Sequence, residues 1–139
     1  MIPVNSPSLL GNEKQYLLEC IESGWISSEG QFVKLLEKKF SHYIGRKYGI
    51  AVSSGTAAIE IAFNALNIKK DDEVIIPAFS IISCVLPLIR INAKPILVDS
   101  DPLTWNMDHT QIENKITKKT KAIMITHIYG LSVDIDPIL

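Results

Sequence analysis

The chain has 139 residues, 47% of them hydrophobic and 21% charged, which is enough apolar material for one packed core. Lys and Arg number 14 against 15 Asp and Glu, so the sequence lacks the strong positive field that nucleic acid or an anionic membrane attracts. The two cysteines, Cys20 and Cys84, stand far apart, and no histidines have metal-ligand spacing. Neither a disulfide framework nor a metal site is therefore predicted.

The sequence gives no signal for a membrane or for secretion. The longest apolar stretch, residues 75–89, is too short for an ordinary membrane span and is interrupted by prolines and serines. The N-terminal MIPVNSP has neither a basic leader nor an apolar core of the kind that directs export. We therefore expect a cytoplasmic protein with reduced thiols.

Residues 1–45 are interpreted as an N-terminal arm followed by two helices. Two prolines and a glycine in residues 1–11 favour an extended arm. Apolar residues then recur at helical spacing from Asn12 onward, and Gly24 predicts the end of this helix. After the loop GWISSEGQ, a second amphipathic helix is predicted to end at Gly45.

Residues 46–139 are interpreted as the first, incomplete part of an α/β domain. Strands are predicted at YGIAV, EVIIPA, KPILVD and KAIMITH, with helices at Thr56–Leu66, Ile81 to about Asn92, and His109–Ile116. Strands that are continuously apolar, each followed by a helix, are typical of a parallel sheet buried on both faces. The expected fold class is a three-layer α/β/α sheet.

Ligands of such sheets bind beyond the carboxyl ends of the strands. The segments SSGT, PAFS, VDSD and THIYG should therefore share one edge of the sheet. Within THIYG, His127 and Tyr129 follow a strand and could reach a ligand at that edge. A packed or solvent-bridged histidine is the alternative interpretation of His127.

The segment Ser53-Ser54-Gly55-Thr56, between a strand and a helix, suits a phosphate group. A helix N-terminus offers unpaired N–H groups and a positive dipole, Gly55 allows close approach, and the Ser54 and Thr56 hydroxyls add donors. Simple helix capping by the same residues is the alternative. The sequence has neither GxxxxGK nor GxGxxG, so a nucleotide-triphosphate loop and a dinucleotide fingerprint are not supported.

Five segments in one order, GWISSEGQFVKLLEKKF, YGIAVSSGTAAIEIAFNAL, DDEVIIPAFSIIS, AKPILVDSDPLTWNMD and KAIMITHIYGLSVDIDPI, resemble the DegT/DnrJ/EryC1/StrS sugar aminotransferases. The resemblance implies the large domain of the aspartate-aminotransferase (type I) fold and pyridoxal 5'-phosphate (PLP) as cofactor. It also implies a homodimer that transfers an amino group from glutamate to a keto sugar nucleotide.

Carried over to this chain, the resemblance implies that Gly55, Thr56 and Ala57, next to Ser54, hold the cofactor phosphate. Family members often carry an aromatic residue two positions after the phenylalanine of PAFS, where it stacks on the cofactor ring. Here that position is Ile81, so the ring contact would be aliphatic or would come from Phe79.

The resemblance also implies a border for the substrate pocket. The loop residues Trp25, Ile26, Ser27 and Ser28 would border the sugar nucleotide, together with His127 and Tyr129. The form WISSEG is similar to that of family members that aminate the 4-position of the sugar.

The resemblance places no catalytic residue in this chain, because the Schiff-base lysine and the acid that protonates the pyridine nitrogen follow the HIYG segment in the family. Residues 1–139 alone are therefore expected to be inactive. Two other interpretations remain: a non-catalytic PLP- or phosphate-binding regulatory module, and a generic α/β nucleotide-binding domain.

Overall fold

The structure is a computed structural model that describes residues 2–3 and 6–139. The chain folds into two compact units, Met1–Ala51 and Val52–Leu139. Among the described residues, no helix is both long and apolar enough to cross a membrane.

The first unit contains the two helices that the sequence predicts. Helix α1 spans Glu13–Ser23 and ends at Gly24, whose left-handed φ of 73° is the conformation that glycine adopts at least cost. Helix α2 spans Gln31–Tyr43. The rings of Tyr16 and Phe32 pack with their centroids 5.0 Å apart, which joins the two helices. Both predicted helices are thus confirmed.

The prediction of a strand at YGIAV is wrong, because residues 48–52 form no strand. A strand needs a partner for its backbone groups, and here the N–H of Ala51 donates to the Glu37 carboxylate of α2 at 2.9 Å. A Cβ on Gly49 would stand 2.6 Å from the backbone oxygen of Glu37. Close approach to α2 therefore replaces sheet pairing in this segment.

The second unit is built on a three-stranded parallel sheet in the order β2-β1-β3. The strands are β1 (Glu73–Pro77), β2 (Lys94–Val98) and β3 (Thr120–Ile123). The central strand is almost completely buried, with Val74 and Ile75 at 0% exposure. The continuous apolar run EVIIP therefore lies where the sequence predicts, in a sheet covered on both faces.

Helix α3 (Gly55–Ala65) confirms its prediction, whereas the two later helices are shorter than predicted. In place of a helix at Ile81 to Asn92, a 3-10 helix, Ile82–Cys84, precedes the short α4, Leu86–Arg90. Pro87 explains the break, since it has no N–H to continue a helix through that turn and is tolerated only near a helix start.

The helix predicted at His109–Ile116 is also wrong in type. The segment forms two 3-10 helices, His109–Gln111 and Glu113–Lys115. The Asp108 carboxylate accepts hydrogen bonds from the backbone N–H and the hydroxyl of Thr110, so local side-chain bonds compete there with an α-helical turn.

Two apolar clusters lie on opposite faces of the sheet, because alternate residues of β1 point to opposite sides. Val74 and Ile76 pack on one face in the cluster that includes Phe63 of α3 and Leu88 of α4. Ile75 packs on the other face in the cluster that includes Met107, Val98 and Ile112. The second unit is therefore a layered α/β structure with its core on both sides of the sheet.

Candidate functional site

The N-terminus of α3 begins with a capping residue. Ser54, in extended conformation, accepts a hydrogen bond from the N–H of Ala57 at 3.2 Å through its hydroxyl oxygen. The backbone oxygen of Ser54 accepts from Ala58 at 3.1 Å. Ser54 therefore caps α3, as the alternative interpretation of the sequence expected, and its hydroxyl oxygen is the hydrogen-bond acceptor for the N–H of Ala57.

Two backbone donors remain at this helix end. In the part of the chain that the structure describes, the N–H groups of Gly55 and Thr56 have no hydrogen-bond acceptor. A Cβ built on Gly55 would meet nothing within 4 Å, so the space beside the first turn is open. Unpaired donors, the positive end of the helix dipole and open space suit a phosphate, so these residues fit the phosphate of PLP.

The hydroxyl of Thr56 contacts a residue that the sequence analysis did not select. Thr56 Oγ1 donates to Ser83 Oγ at 2.9 Å, which joins the start of α3 to the 3-10 helix after β1. Both side chains are half-buried. The first turn of α3 is thereby tied to the carboxyl end of the central strand.

The segment after β1 carries the predicted ring contacts Phe79 and Ile81. The ring of Phe79 packs edge-on against Trp105, with centroids 5.5 Å apart and planes at 60°. This geometry is favourable for aromatic pairs and restrains the Phe79 ring. Ile81 is 66% exposed. Both side chains therefore present apolar surface to solvent near the end of β1.

A second polar contact ties the segment after β1 to the segment after β3. Ser80 Oγ lies 3.2 Å from Thr126 Oγ1 and donates to the buried Cys84 sulfur at 3.0 Å. Together with the Thr56–Ser83 bond, this contact joins the segments SSGT, PAFS and THIYG along the carboxyl edge of the sheet.

The ring of His127 is fixed by a backbone contact. Its Nδ1 accepts a hydrogen bond from the N–H of Val133 at 3.0 Å. An accepting Nδ1 carries no proton, so the neutral ring holds its proton on Nε2. His127 is exposed, and its Nε2–H is a donor that a ligand at this edge could use.

Tyr129 has a backbone that is unusual for a bulky residue. Its φ of 47° lies in the left-handed region, and its side chain is 91% exposed. Asn106, which is 5% exposed, holds the surrounding segment: its Oδ1 accepts from Ile128 N at 3.1 Å and its Nδ2 donates to Leu131 O at 3.2 Å. Asn106 therefore holds the backbone on both sides of Tyr129.

The acidic residues after β2 serve the local turn. The N–H groups of Leu103 and Thr104 and the Thr104 hydroxyl all donate to Asp101 Oδ1, and the Thr104 bonds are the main reason that the pKa of Asp101 is lowered. The Thr110 hydroxyl and then the Gln111 amide likewise lower the pKa of Asp108. Within the described residues, no group of three acidic, His or Cys side chains is placed to hold a metal ion.

The predicted sugar-nucleotide loop belongs to the first unit. Trp25, Ile26 and Ser27 line a mainly apolar cleft of about 270 Å³ with residues of α1 and α2. Trp25 is 57% exposed and Ile26 is 81% exposed, and Ser28 is exposed beside them. The loop thus carries an exposed aromatic side chain beside a mainly apolar cleft.

Sequence reasoning missed three residues at the edge of the sheet: Ser83, Trp105 and Asn106. For Ser83 a signal was available, since a serine inside the apolar stretch 75–89 needs a polar partner in a buried setting. For Trp105 and Asn106 the contacts join segments distant in sequence, and no local pattern indicates them.

Comparison with known proteins adds independent information. The sequence profile of the DegT/DnrJ/EryC1/StrS aminotransferase family matches residues 7–139. The chain is 46% identical to the GDP-perosamine synthase of Caulobacter vibrioides over 138 residues, which covers 99% of this chain and 37% of that protein. The chain thus spans little more than a third of the length of this curated relative and corresponds to its N-terminal part.

Solved structures give the same result. The PLP form of a putative sugar aminotransferase from Streptococcus pneumoniae superposes with a TM-score of 0.89 at 31% identity, covering 99% of this chain and 35% of that one. The GDP-4-keto-6-deoxy-D-mannose-3-dehydratase of E. coli, with bound hydrated PLP, superposes with a TM-score of 0.88 at 30% identity, covering 98% and 36%. The expected α/β fold is confirmed, and the chain belongs to the DegT/DnrJ/EryC1/StrS aminotransferase family.

Proposed function

We propose that the full-length protein carrying this chain is a PLP-dependent aminotransferase that moves an amino group from glutamate to a keto sugar nucleotide. The observation that carries the proposal is the start of α3, where two unpaired N–H groups face open space beside Gly55. Family membership supplies the cofactor that such a site would hold.

In this proposal, the N–H groups of Gly55 and Thr56 bind the cofactor phosphate, and Ser54 and Ala57 maintain the geometry of the helix end. Phe79 and Ile81 supply apolar contact to the cofactor ring, with Phe79 restrained by Trp105. PLP, once bound, supplies the electron-withdrawing ring on which amino transfer depends.

The sugar nucleotide has two groups of proposed contacts. We assign Trp25, Ile26, Ser27 and Ser28 to the border of its pocket, and we assign His127 and Tyr129 to polar contacts with it. The Nε2–H of His127 donates, and the phenol of Tyr129 both donates and accepts. These roles rest on the family pattern and on the exposure of the side chains.

For the substrate, we propose a GDP-linked keto sugar that is aminated at its 4-position. The WISSEG form of the loop supports the position, and the high identity to a GDP-perosamine synthase supports the nucleotide. We further propose a homodimer that works in the cytoplasm. Both Cys20 and Cys84 are free thiols, as a reducing compartment would keep them.

The test is an amino-transfer assay with the purified full-length protein. GDP-linked and dTDP-linked 4-keto and 3-keto sugars are each supplied with PLP and glutamate, and the aminated product is identified by mass spectrometry. Amination of the GDP-linked 4-keto sugar is expected. Tight binding of PLP without turnover of any sugar would instead favour a regulatory module, and exclusive use of dTDP sugars would contradict the substrate assignment.

A further inference from the structure

Ser83 lies in the 3-10 helix Ile82–Cys84, and sequence reasoning gave it no role. Its hydroxyl oxygen accepts the hydrogen bond from Thr56 Oγ1 at 2.9 Å, between residues that are 27 positions apart. The contact is partly buried, so water competes with it less than at an open surface. It is therefore a specific link to the helix end that carries the proposed phosphate site.

The link restricts the side chain of Thr56. A threonine in a helix divides between two χ1 rotamers, because its hydroxyl has more than one acceptor within reach. The bond to Ser83 selects one of them. Because the N–H of Thr56 is one of the two free donors at the start of α3, the hydroxyl is held beside that free N–H.

The hydroxyl groups of Thr56 and Ser83 also have a limited number of hydrogens to donate. Each has one hydrogen to donate, and a phosphate dianion only accepts. One hydrogen is used between Thr56 and Ser83, so the pair has one left for a third group. If Ser83 donates to Thr56 when phosphate is present, the Thr56 hydrogen turns to the phosphate without leaving either oxygen unpaired.

We propose that Ser83 is a positioning residue of the phosphate site and that it fixes the rotamer of Thr56. Ser83 accepts the hydrogen bond from Thr56 when no phosphate is bound, and it donates a hydrogen bond to Thr56 when phosphate is bound. This inference rests on the proposed function of the α3 N-terminus. It goes further because it assigns to the segment after β1 a part in recognising the phosphate.

The experiment uses the full-length apoprotein and two probes, PLP and pyridoxal, the second of which lacks the phosphate. Equilibrium titrations followed by absorbance give a dissociation constant for each probe. Ser83→Ala should weaken PLP binding about two- to tenfold, the effect of one ordinary hydrogen bond, and leave pyridoxal binding unchanged. Ser83→Thr, which keeps the hydroxyl, should retain most of the PLP affinity.

A double-mutant cycle separates this role from general stabilisation. Thr56→Val preserves the shape of Thr56 and removes its hydroxyl, so adding Ser83→Ala to it should cause no further loss of PLP affinity. Ser80→Ala is the matched control, since Ser80 lies in the same segment but bonds to Cys84 and Thr126 instead. It should change PLP and pyridoxal binding equally. Circular dichroism checks that each variant is folded.

Several results would overturn the proposal. Unchanged or tighter PLP binding by folded Ser83→Ala, equal losses for PLP and pyridoxal, or additive losses in the double mutant would each do so. If Thr56→Val weakens PLP binding but Ser83→Ala does not, the phosphate site stands and only the role of Ser83 fails. If the wild type does not prefer PLP over pyridoxal, both the proposed phosphate site and the role of Ser83 are contradicted.

Discussion

The side-chain oxygen of Asn106 accepts a hydrogen bond from the backbone N–H of Ile128 at 3.1 Å, while its amide nitrogen donates to Leu131 O. Asn106 is 5% exposed, so one buried amide fixes both ends of the turn that carries Tyr129. The turn adopts a left-handed φ at Tyr129, which is costly for an aromatic residue and persists only where the surroundings impose it.

Asn106→Ala is accordingly expected to destabilise the protein by about 1 to 3 kcal/mol, because it removes both hydrogen bonds of the buried amide and leaves the part-buried N–H of Ile128 and carbonyl of Leu131 without these partners. Denaturant unfolding of the full-length protein measures the change. Asn114→Ala, at an exposed position in a 3-10 helix, is the control and should have little effect. Equal stability of both variants would show that water replaces the amide.

Gly55→Val should abolish or strongly weaken PLP binding while the protein stays folded. A Cβ at position 55 would meet nothing within 4 Å, so we expect valine to be compatible with the fold while filling the space that the phosphate needs. PLP titration and circular dichroism measure the two effects. Ala62→Val places the same valine side chain at an exposed position of α3 and should bind PLP normally. If Gly55→Val binds PLP with normal affinity, the phosphate must bind elsewhere in the protein.

Asp101 should make the turn after β2 sensitive to acid. Hydrogen bonds from Thr104 lower the pKa of this carboxyl below its ordinary value of 3.8, so the folded state favours the ionised form. The resulting stabilisation is present above pH 3.8 and is lost as the pH falls through the lower, folded-state pKa. The stability difference between wild type and Asp101→Asn should therefore shrink in acid. A difference that is constant from pH 7 to pH 3 would contradict this assignment.

The isolated 139-residue chain is expected to associate. No residue of α1, Glu13–Ser23, is buried, and it exposes Leu17 and Ile21 at 64% and 67%. Exposed apolar surface on this scale favours contact with other apolar surface. Sedimentation velocity over a range of concentrations measures the association, and Leu17→Gln should reduce it. A monomer with a sharp, concentration-independent unfolding transition would contradict the prediction.

The sequence by itself determined the helices and strands whose signals are local. Apolar spacing and a terminal glycine were sufficient for α1, since Gly24 takes the left-handed conformation that ends the helix. The continuous run at Glu73–Pro77 was sufficient for the buried central strand. The motif at residues 53–56 located the start of α3, and the order of the five segments identified the family before any contact was known.

Only the tertiary structure decided which side chains meet. Residues 48–52 have the composition of a strand, but the Glu37 carboxylate takes the N–H of Ala51, and a strand cannot form without a partner. Thr56 finds Ser83 because the fold places the segment after β1 beside the start of α3. Hydrogen bonds of this kind depend on positions in space to within a few tenths of an ångström, and a sequence pattern records only which residues could take part.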